Sequence, residues 1–222
     1  MLKLYNKKHT LEAFVDEVAR GCLVGRVYAS VVIWNPDLLD IWKDTKEYEY
    51  IYNMMCKIKD SKKVKPVHRE ELCNFIQNYA VDYAVAWVDE KTVDTINIRN
   101  ATFEAMHLAL DKLQIIPSNI IIDGNAFEPY NRTETANIPY ECIVKCDDTY
   151  LPCAAASILA KTTRDNYLLT LIDENPILER YGWRHNKGYG TKDHMDAIKK
   201  YGISEYHRKS YKPCQITPDN NV

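Results

Sequence analysis

Five runs of apolar and β-branched residues, at 13–18, 24–34, 79–88, 119–123 and 140–145, are interspersed with stretches whose apolar residues recur at helical spacing, at 67–78, 97–113, 151–173 and 193–201. The short runs read as strands and the longer periodic stretches as helices. Their order is the constraint: strands first, then strands alternating with helices, then helices alone, which gives an α/β sheet with a helical C-terminal portion. We place a core at 1–174 and a helical extension at 175–222. Segment 38–55, rich in Asp, Glu, Tyr and Trp, fits neither period and reads as an insertion, either an extra helix or a surface excursion. Five acids between Asp37 and Glu49 put it outside any polyanion groove, and Trp34, Trp42, Tyr48, Tyr50 and Tyr52 would pack it on the sheet edge. With no repeat, low-complexity tract or Gly/Ser linker, 222 residues make one domain with at most a small appendage.

At this length roughly 70% of the unfolded chain's surface is buried on folding, so no disulfide or structural metal is needed to hold the core. The seven cysteines, Cys22, Cys56, Cys73, Cys142, Cys146, Cys153 and Cys214, are odd in number and scattered, with no C-x-x-C pair. They read as free thiols in a reducing compartment, and their spacing suits no standard zinc site. The N-terminal stretch MLKLYNKKHT has no apolar run of signal-peptide length, and the longest apolar stretch, 27–34, is too short to span a bilayer. A cytoplasmic protein, or a nuclear one in a eukaryote, is expected, neither secreted nor bound to membrane.

The net charge of −2, from 29 basic and 31 acidic residues, disfavours a histone-like polyanion binder. Along the chain the charge separates. Stretch 57–69 has six bases and one acid, 184–212 has eight bases and three acids, and 89–148 has eleven acids and five bases. Neutrality is therefore a phosphate-binding surface and an acidic cluster cancelling in the sum, an arrangement that predicts strongly salt-dependent duplex binding.

Acids stand at or just beyond strand ends: Asp16 and Glu17, Asp123 after Asn119-Ile120-Ile121-Ile122, and Asp147 with Asp148 beside it. In open α/β sheets ligands bind at the rim beyond the carboxyl ends of the strands. Carboxylates converging there repel unless they share divalent cations, and hard oxygen donors favour Mg²⁺ or Mn²⁺ over zinc. Two such ions are a device for phosphodiester hydrolysis. Neighbours on a strand face opposite sides, so Asp16 and Glu17 do not both aim straight at one metal unless the strand bulges or ends there.

The string Asp16-Glu17-Val18-Ala19-Arg20-Gly21-Cys22-Leu23-Val24-Gly25 resembles the D-E-[AV]-G-R-G-P-L-x-G opening of the ribonuclease HII (type 2 ribonuclease H) family. Further strings follow in that family's order: Asp60-Ser61-Lys62-Lys63; Asn97-Ile98 with Ala101-Thr102 and Ala105-Met106; Ile122-Asp123-Gly124; Ala155 to Lys161 ending in Arg164-Asp165; and Asn186-Lys187-Gly188-Tyr189 with Thr191, His194 and His207-Arg208. The resemblance spans about 13–213. It implies a ribonuclease H-like fold, a central mixed five-stranded sheet flanked by helices, with a C-terminal helical extension. It also implies endonucleolytic cleavage of RNA in RNA/DNA hybrids and at ribonucleotides embedded in duplex DNA, leaving 3′-hydroxyl and 5′-phosphate ends.

Carried over by residue, the resemblance makes Asp16, Glu17, Asp123 and Asp147 the catalytic and metal-binding acids, with two Mg²⁺ or Mn²⁺ ions in the working site. Asp147 is preferred to Asp148 because its separation from Ser157 matches the family's. The nucleic-acid contacts would be Ala19, Arg20 and Gly21, facing the 2′-hydroxyl and a phosphate; Ser61, Lys62 and Lys63 on phosphates; Lys161, Arg164 and Lys187 near the groove; and Tyr189 on the sugar at the RNA–DNA junction. Departures are Ala19 for the family's first Gly, Cys22 for a Pro, and Cys146 for a Gly. The tail after Pro213 lacks the paired aromatics of a sliding-clamp peptide, and a monomer is expected. The alternatives are a hybrid nuclease like ribonuclease HIII, whose family carries an N-terminal substrate-binding domain where only a short stretch precedes Asp16 here, and a catalytically weak hybrid-binding module.

Overall fold

The computed structural model describes residues 1–8, 10–133 and 136–215. The tail on which the clamp-peptide reading rests lies, from residue 216 on, outside the described residues. In chain order the elements are β1 (Glu12–Val18), β2 (Val27–Ile33), α1 (Leu38–Trp42), α2 (Tyr48–Lys57), α3 (Pro66–Tyr79), β3 (Asp82–Val88) and α4 (Glu90–Asp111). There follow β4 (Asn119–Asp123), β5 (Asn131–Thr133), β6 (Ala136–Asn137), β7 (Tyr140–Ile143), α5 (Leu151–Glu174), α6 (Trp183–Asn186) and α7 (Lys192–Tyr201). Four 3₁₀ turns, at Ser61–Lys63, Cys146–Asp148, Pro176–Tyr181 and Lys212–Cys214, complete the described chain.

The main sheet has the order β3-β2-β1-β4-β7, mixed as the resemblance implies: β1 to β3 form an antiparallel meander, while β1, β4 and β7 run parallel. Alternation along each strand sorts its residues to two faces. Ala13 and Val15 of β1, Val27, Ala29 and Val31 of β2 and Ile120 and Ile122 of β4 pack under α4 through Ala101, Ala105, Met106 and Ala109. On the other face Val32 and Trp34 meet α2, α3 and the Ala154, Ala155, Ile158 side of α5, while Phe14 and Ile121 meet Tyr150 and Cys153. Full burial of each such valine or isoleucine side chain contributes about 1.5–3 kcal/mol, which locks the register of the central strands.

Several segments depart from the sequence expectation, each for a local reason. Residues 24–26, read as the start of the second strand, stay out of β2, because this part of the chain is tied elsewhere: the amide of Leu23 donates to the Gly188 carbonyl (2.8 Å) and that of Gly25 to the Tyr206 carbonyl (2.8 Å). Residue 79 closes α3 instead of opening β3. Helix α4 starts well before 97, where the Asp89 carboxylate accepts from the Thr92 amide (2.8 Å), and Asn97 interrupts it with φ 66° and ψ 162°. The 38–55 insertion folds as α1 and α2, burying Ile51, Met54 and Met55. Its rings meet α3 (Trp42 on Tyr79, Tyr50 on Phe75), whereas Tyr48 and Tyr52 stack on one another. Beyond α5 the described residues carry α6, α7 and two 3₁₀ turns and build a separate apolar cluster, in which Leu178, Tyr181, Trp183 and Ile198 close over Leu168, Ile172, Leu23 and Val24.

Candidate active site

Strands β1 and β4 lie in parallel with Phe14 opposite Ile121 and Val15 opposite Ile122. The next pair toward the carboxyl ends is Asp16 and Asp123, on the face shared by Phe14 and Ile121. Beside β4, strand β7 ends at Ile143, and Lys145 in the left-handed conformation (φ 60°) turns the chain into the Cys146–Asp148 turn that delivers Asp147. One ligand oxygen from each of Asp16, Asp123 and Asp147 falls within 4.8 Å of the others. The cluster is braced by backbone donors: the Cys146 amide to Asp123 Oδ1 and the Glu17 amide to Asp16 Oδ1, both 2.7 Å. The Ser157 hydroxyl, from α5, also bonds Asp16 and sits 2.9 Å from the Ser61 hydroxyl.

This geometry strains the ionised state of all three. Burial, followed by the Glu17 and Asp123 charges, holds the Asp16 carboxyl well above its ordinary value. Burial and then Glu17 raise Asp123, and burial with Asp123 beside it pushes Asp147 up to about 6. The set contains carboxylates alone, with no imidazole or thiolate among its members, and its excess negative charge is what a hard divalent cation offsets. The residues therefore fit Mg²⁺ or Mn²⁺.

The three aspartates open into a cleft of about 460 Å³ also lined by Glu17, Ser61, Lys62, Ser157, Lys161 and Tyr189. Strand alternation sends Glu17 to the opposite face, where its carboxylate meets Arg20 (3.1 Å) and also borders a second hollow with Arg99 and Gly124. It stands at the cleft edge, outside the three-oxygen cluster. Asp148 is exposed and turned to Lys63, so the acid beside Asp147 takes no place in the cluster.

The other expected site residues divide in the same way. Lys62 and Lys161 line the cleft, the latter hydrogen-bonded to Asp165 (3.0 Å) and 5.9 Å from the centre of the Tyr189 ring. Burial lowers the Lys161 pKa despite Asp165, and pushes the Tyr189 hydroxyl up to about 12, with Cys22 adding to it. Ser61 is buried against Ser157, and Lys63, paired with Asp148, lines a separate hollow outside the three-aspartate cluster. Lys187 lines a neighbouring hollow with Lys161 and Arg69. Arg164, expected near the groove, is 2% exposed; its guanidinium holds the Lys187 carbonyl, the Cys22 sulfur and Asp165. It positions the Tyr189 loop from behind. Ala19 has φ 73°, a left-handed conformation in which an alanine is strained by about 1 kcal/mol relative to glycine.

Two positioning groups had no role in the sequence reading. Arg208, fully buried, donates to the carbonyls of Gly25 (2.9 Å), Ala19 (2.8 Å) and Arg20 (3.1 Å), fixing the 19–25 loop. Its neighbour His207 accepts the Ser204 amide at Nδ1 (2.8 Å), which leaves Nε2–H to face His194 Nε2 (3.2 Å). The His194 Nε2 also accepts from Trp183 (3.0 Å), so His194 Nδ1–H donates to the Tyr189 carbonyl (2.9 Å). Burial keeps both imidazoles neutral, with His207 lowered to about 3. One segment thus ties both loops to the C-terminal cluster. The only sequence signal was the tail string itself, which carries no information about burial.

The Ribonuclease HII family model matches residues 13–214. A Ribonuclease HII of Christiangramia forsetii is 44% identical over 99% of this chain and 100% of its own length. The ribonuclease H2 of Pyrococcus horikoshii OT3 superposes with a TM-score of 0.69 at 25% identity, covering 92% of this chain and 95% of that one. Bst-RNase HIII, solved in complex with Mn²⁺, shares the fold with a TM-score of 0.63 at 16% identity, over 93% of this chain and 68% of that one. Motif order, strand register and overall similarity converge, and the chain belongs to the ribonuclease HII family, the type 2 ribonuclease H endonucleases.

Proposed function

We propose that the chain cleaves the RNA strand of RNA/DNA hybrids and incises 5′ of ribonucleotides embedded in duplex DNA, with Asp16, Asp123 and Asp147 holding the divalent cations and Glu17 serving from the cleft edge. The observation that carries this reading is the joining, in one cleft, of a three-aspartate cluster, with Asp16 and Asp147 buried and Asp123 half-buried, with Tyr189. Two Mg²⁺ or Mn²⁺ ions, when bound there, would activate water and offset charge developing on the phosphate. Hydrolysis adds the water oxygen to phosphorus and breaks the bond to O3′ of the preceding nucleotide, giving 3′-hydroxyl and 5′-phosphate ends.

The chain's own residues supply recognition. With a pKa near 12 the Tyr189 hydroxyl stays protonated at neutral pH and is available as a donor to a 2′-hydroxyl, while its ring offers an apolar face to the next sugar. Arg208 occupies the carbonyls of Ala19 and Arg20, so the amides of Arg20 and Gly21, which have no acceptor among the described residues, are the donors this loop offers to the substrate. Lys62 and Lys161 face the cleft and neutralise phosphates. Bst-RNase HIII binds Mn²⁺, which is consistent with the choice of metal.

The test is Asp16→Asn and Asp123→Asn at saturating Mg²⁺ or Mn²⁺. Each is expected to abolish cleavage while a labelled hybrid still binds. Near-normal turnover in both would overturn the assignment of these acids.

A further inference from the structure

Successive residues of the Ser61–Lys63 turn face different cavities. Lys62 lines the acid cleft, whereas Lys63 lines a hollow of about 340 Å³ between the end of α2 and the first turns of α3. The rim of that hollow carries Lys57, Lys59, Lys65 and His68 as well, its floor is the buried pair Val64 and Leu72, and its one carboxylate is Glu71. Lys57 pairs with Glu71 (3.6 Å) and Lys63 with Asp148. Lys59 and Lys65 are exposed and make no ion pair among the described residues. A concave, partly apolar surface concentrates the field of such uncompensated charges and favours an anion.

We propose that this hollow is a second phosphate-binding site, taking the backbone of the duplex flank that continues past the cleaved position. The proposal rests on the reading that the acid cleft takes an RNA-containing duplex. Two features select a nucleic-acid backbone over a free nucleotide or a phosphopeptide. The hollow is joined to the cleft by consecutive lysines on one short turn, and its lining offers no Phe, Tyr or Trp on which a base would stack.

The test uses the full chain carrying Lys59→Ala and Lys65→Ala together, with the charge reversal Lys59→Glu, Lys65→Glu as a second variant. Both positions are exposed, and unchanged thermal unfolding verifies that the fold survives. Binding of a duplex with one internal ribonucleotide is followed by fluorescence anisotropy over a range of salt, beside duplexes trimmed on one flank or the other. Each lost phosphate contact removes about 0.9 from the slope of log K against log salt, so the alanine pair should lower the slope by about 2 and weaken binding about tenfold at low salt. The reversal should weaken it further. Trimming one flank should bring the wild type to the variant's affinity and leave the variant unchanged, with kcat at saturation within about twofold throughout. An unaltered slope in both variants, in a wild type that cleaves this duplex, overturns the second site alone. A wild type that binds neither hybrid nor ribonucleotide-containing duplex overturns both the site and the function it rests on.

Discussion

Replacing Asp147 by asparagine should stabilise the metal-free protein while removing its activity. Asp147 suits the test because no hydrogen bond to its carboxylate is found among the described residues, whereas Asp16 and Asp123 each accept a backbone amide. An isosteric amide at Asp147 therefore removes charge with little else. Burial and the Asp123 charge raise this carboxyl from 3.8 to about 6, so ionising it at neutral pH costs the folded state at most about 3 kcal/mol. The group borders an open cleft, and solvent screening reduces the gain we expect to about 1 kcal/mol, or roughly 3 °C in Tm for a chain of this size. The pH dependence has a definite sign. A carboxyl whose folded pKa is raised carries no penalty below its unfolded value; the penalty grows between 3.8 and about 6 and is complete above that. The stabilisation from Asp147→Asn should thus be full at pH 7.5 and mostly gone near pH 4.5. Calorimetry in EDTA at the two pH values measures it, and adding Mn²⁺ should raise Tm in the wild type more than in the variant. A lower Tm for the variant in EDTA at pH 7.5, or a gain independent of pH, would show that the Asp147 charge carries no such cost.

Three other substitutions probe the supports of the cleft. Arg208→Ala strips three buried carbonyls of their donor and leaves a cavity, and should cost about 3 kcal/mol or more in urea unfolding; a loss under about 1 kcal/mol would show that the 19–25 loop holds itself. Gly188→Ala places a methyl 2.4 Å from Val24 Cγ2 at φ +74°, so it should displace Tyr189 and lower kcat/KM on a single-ribonucleotide duplex by about tenfold or more. Wild-type kinetics would contradict that. Tyr189→Ala should reduce junction incision more than cleavage of a uniform hybrid, and equal losses on the two substrates would remove Tyr189 from specificity.

The strands that carry Asp16 and Asp123 were legible because a β-branched run ending in a carboxylate has few structural readings, and alternation alone anticipated that Glu17 would part from Asp16. Helix α4 was misread at its start: Thr92, Val93, Thr95 and Ile96 look strand-like, and the cap at Asp89 decided otherwise. The insertion left helix and surface excursion both open because Ile51, Met54 and Met55, at helical spacing, are crowded by tyrosines and acids that blur the period. The surroundings of Arg164 and Lys63 were not legible for a different reason. Charge in a sequence is read as facing solvent or ligand, and only packing shows that one is buried behind the Tyr189 loop and the other turned to Asp148. The linkage from His207 through His194 to Tyr189 spans separate turns and has no local signature.

In the proposed function the aspartate cluster and the Tyr189 loop act on the same phosphate. A 5′-labelled DNA duplex with one internal ribonucleotide, incubated with the wild-type chain and Mn²⁺ and resolved beside size markers, tests this most directly. A single cut on the 5′ side of the ribonucleotide, leaving a 3′-hydroxyl end and vanishing in EDTA, is the predicted result. Cleavage confined to continuous hybrids, or a cut on the 3′ side of the ribonucleotide, would contradict it.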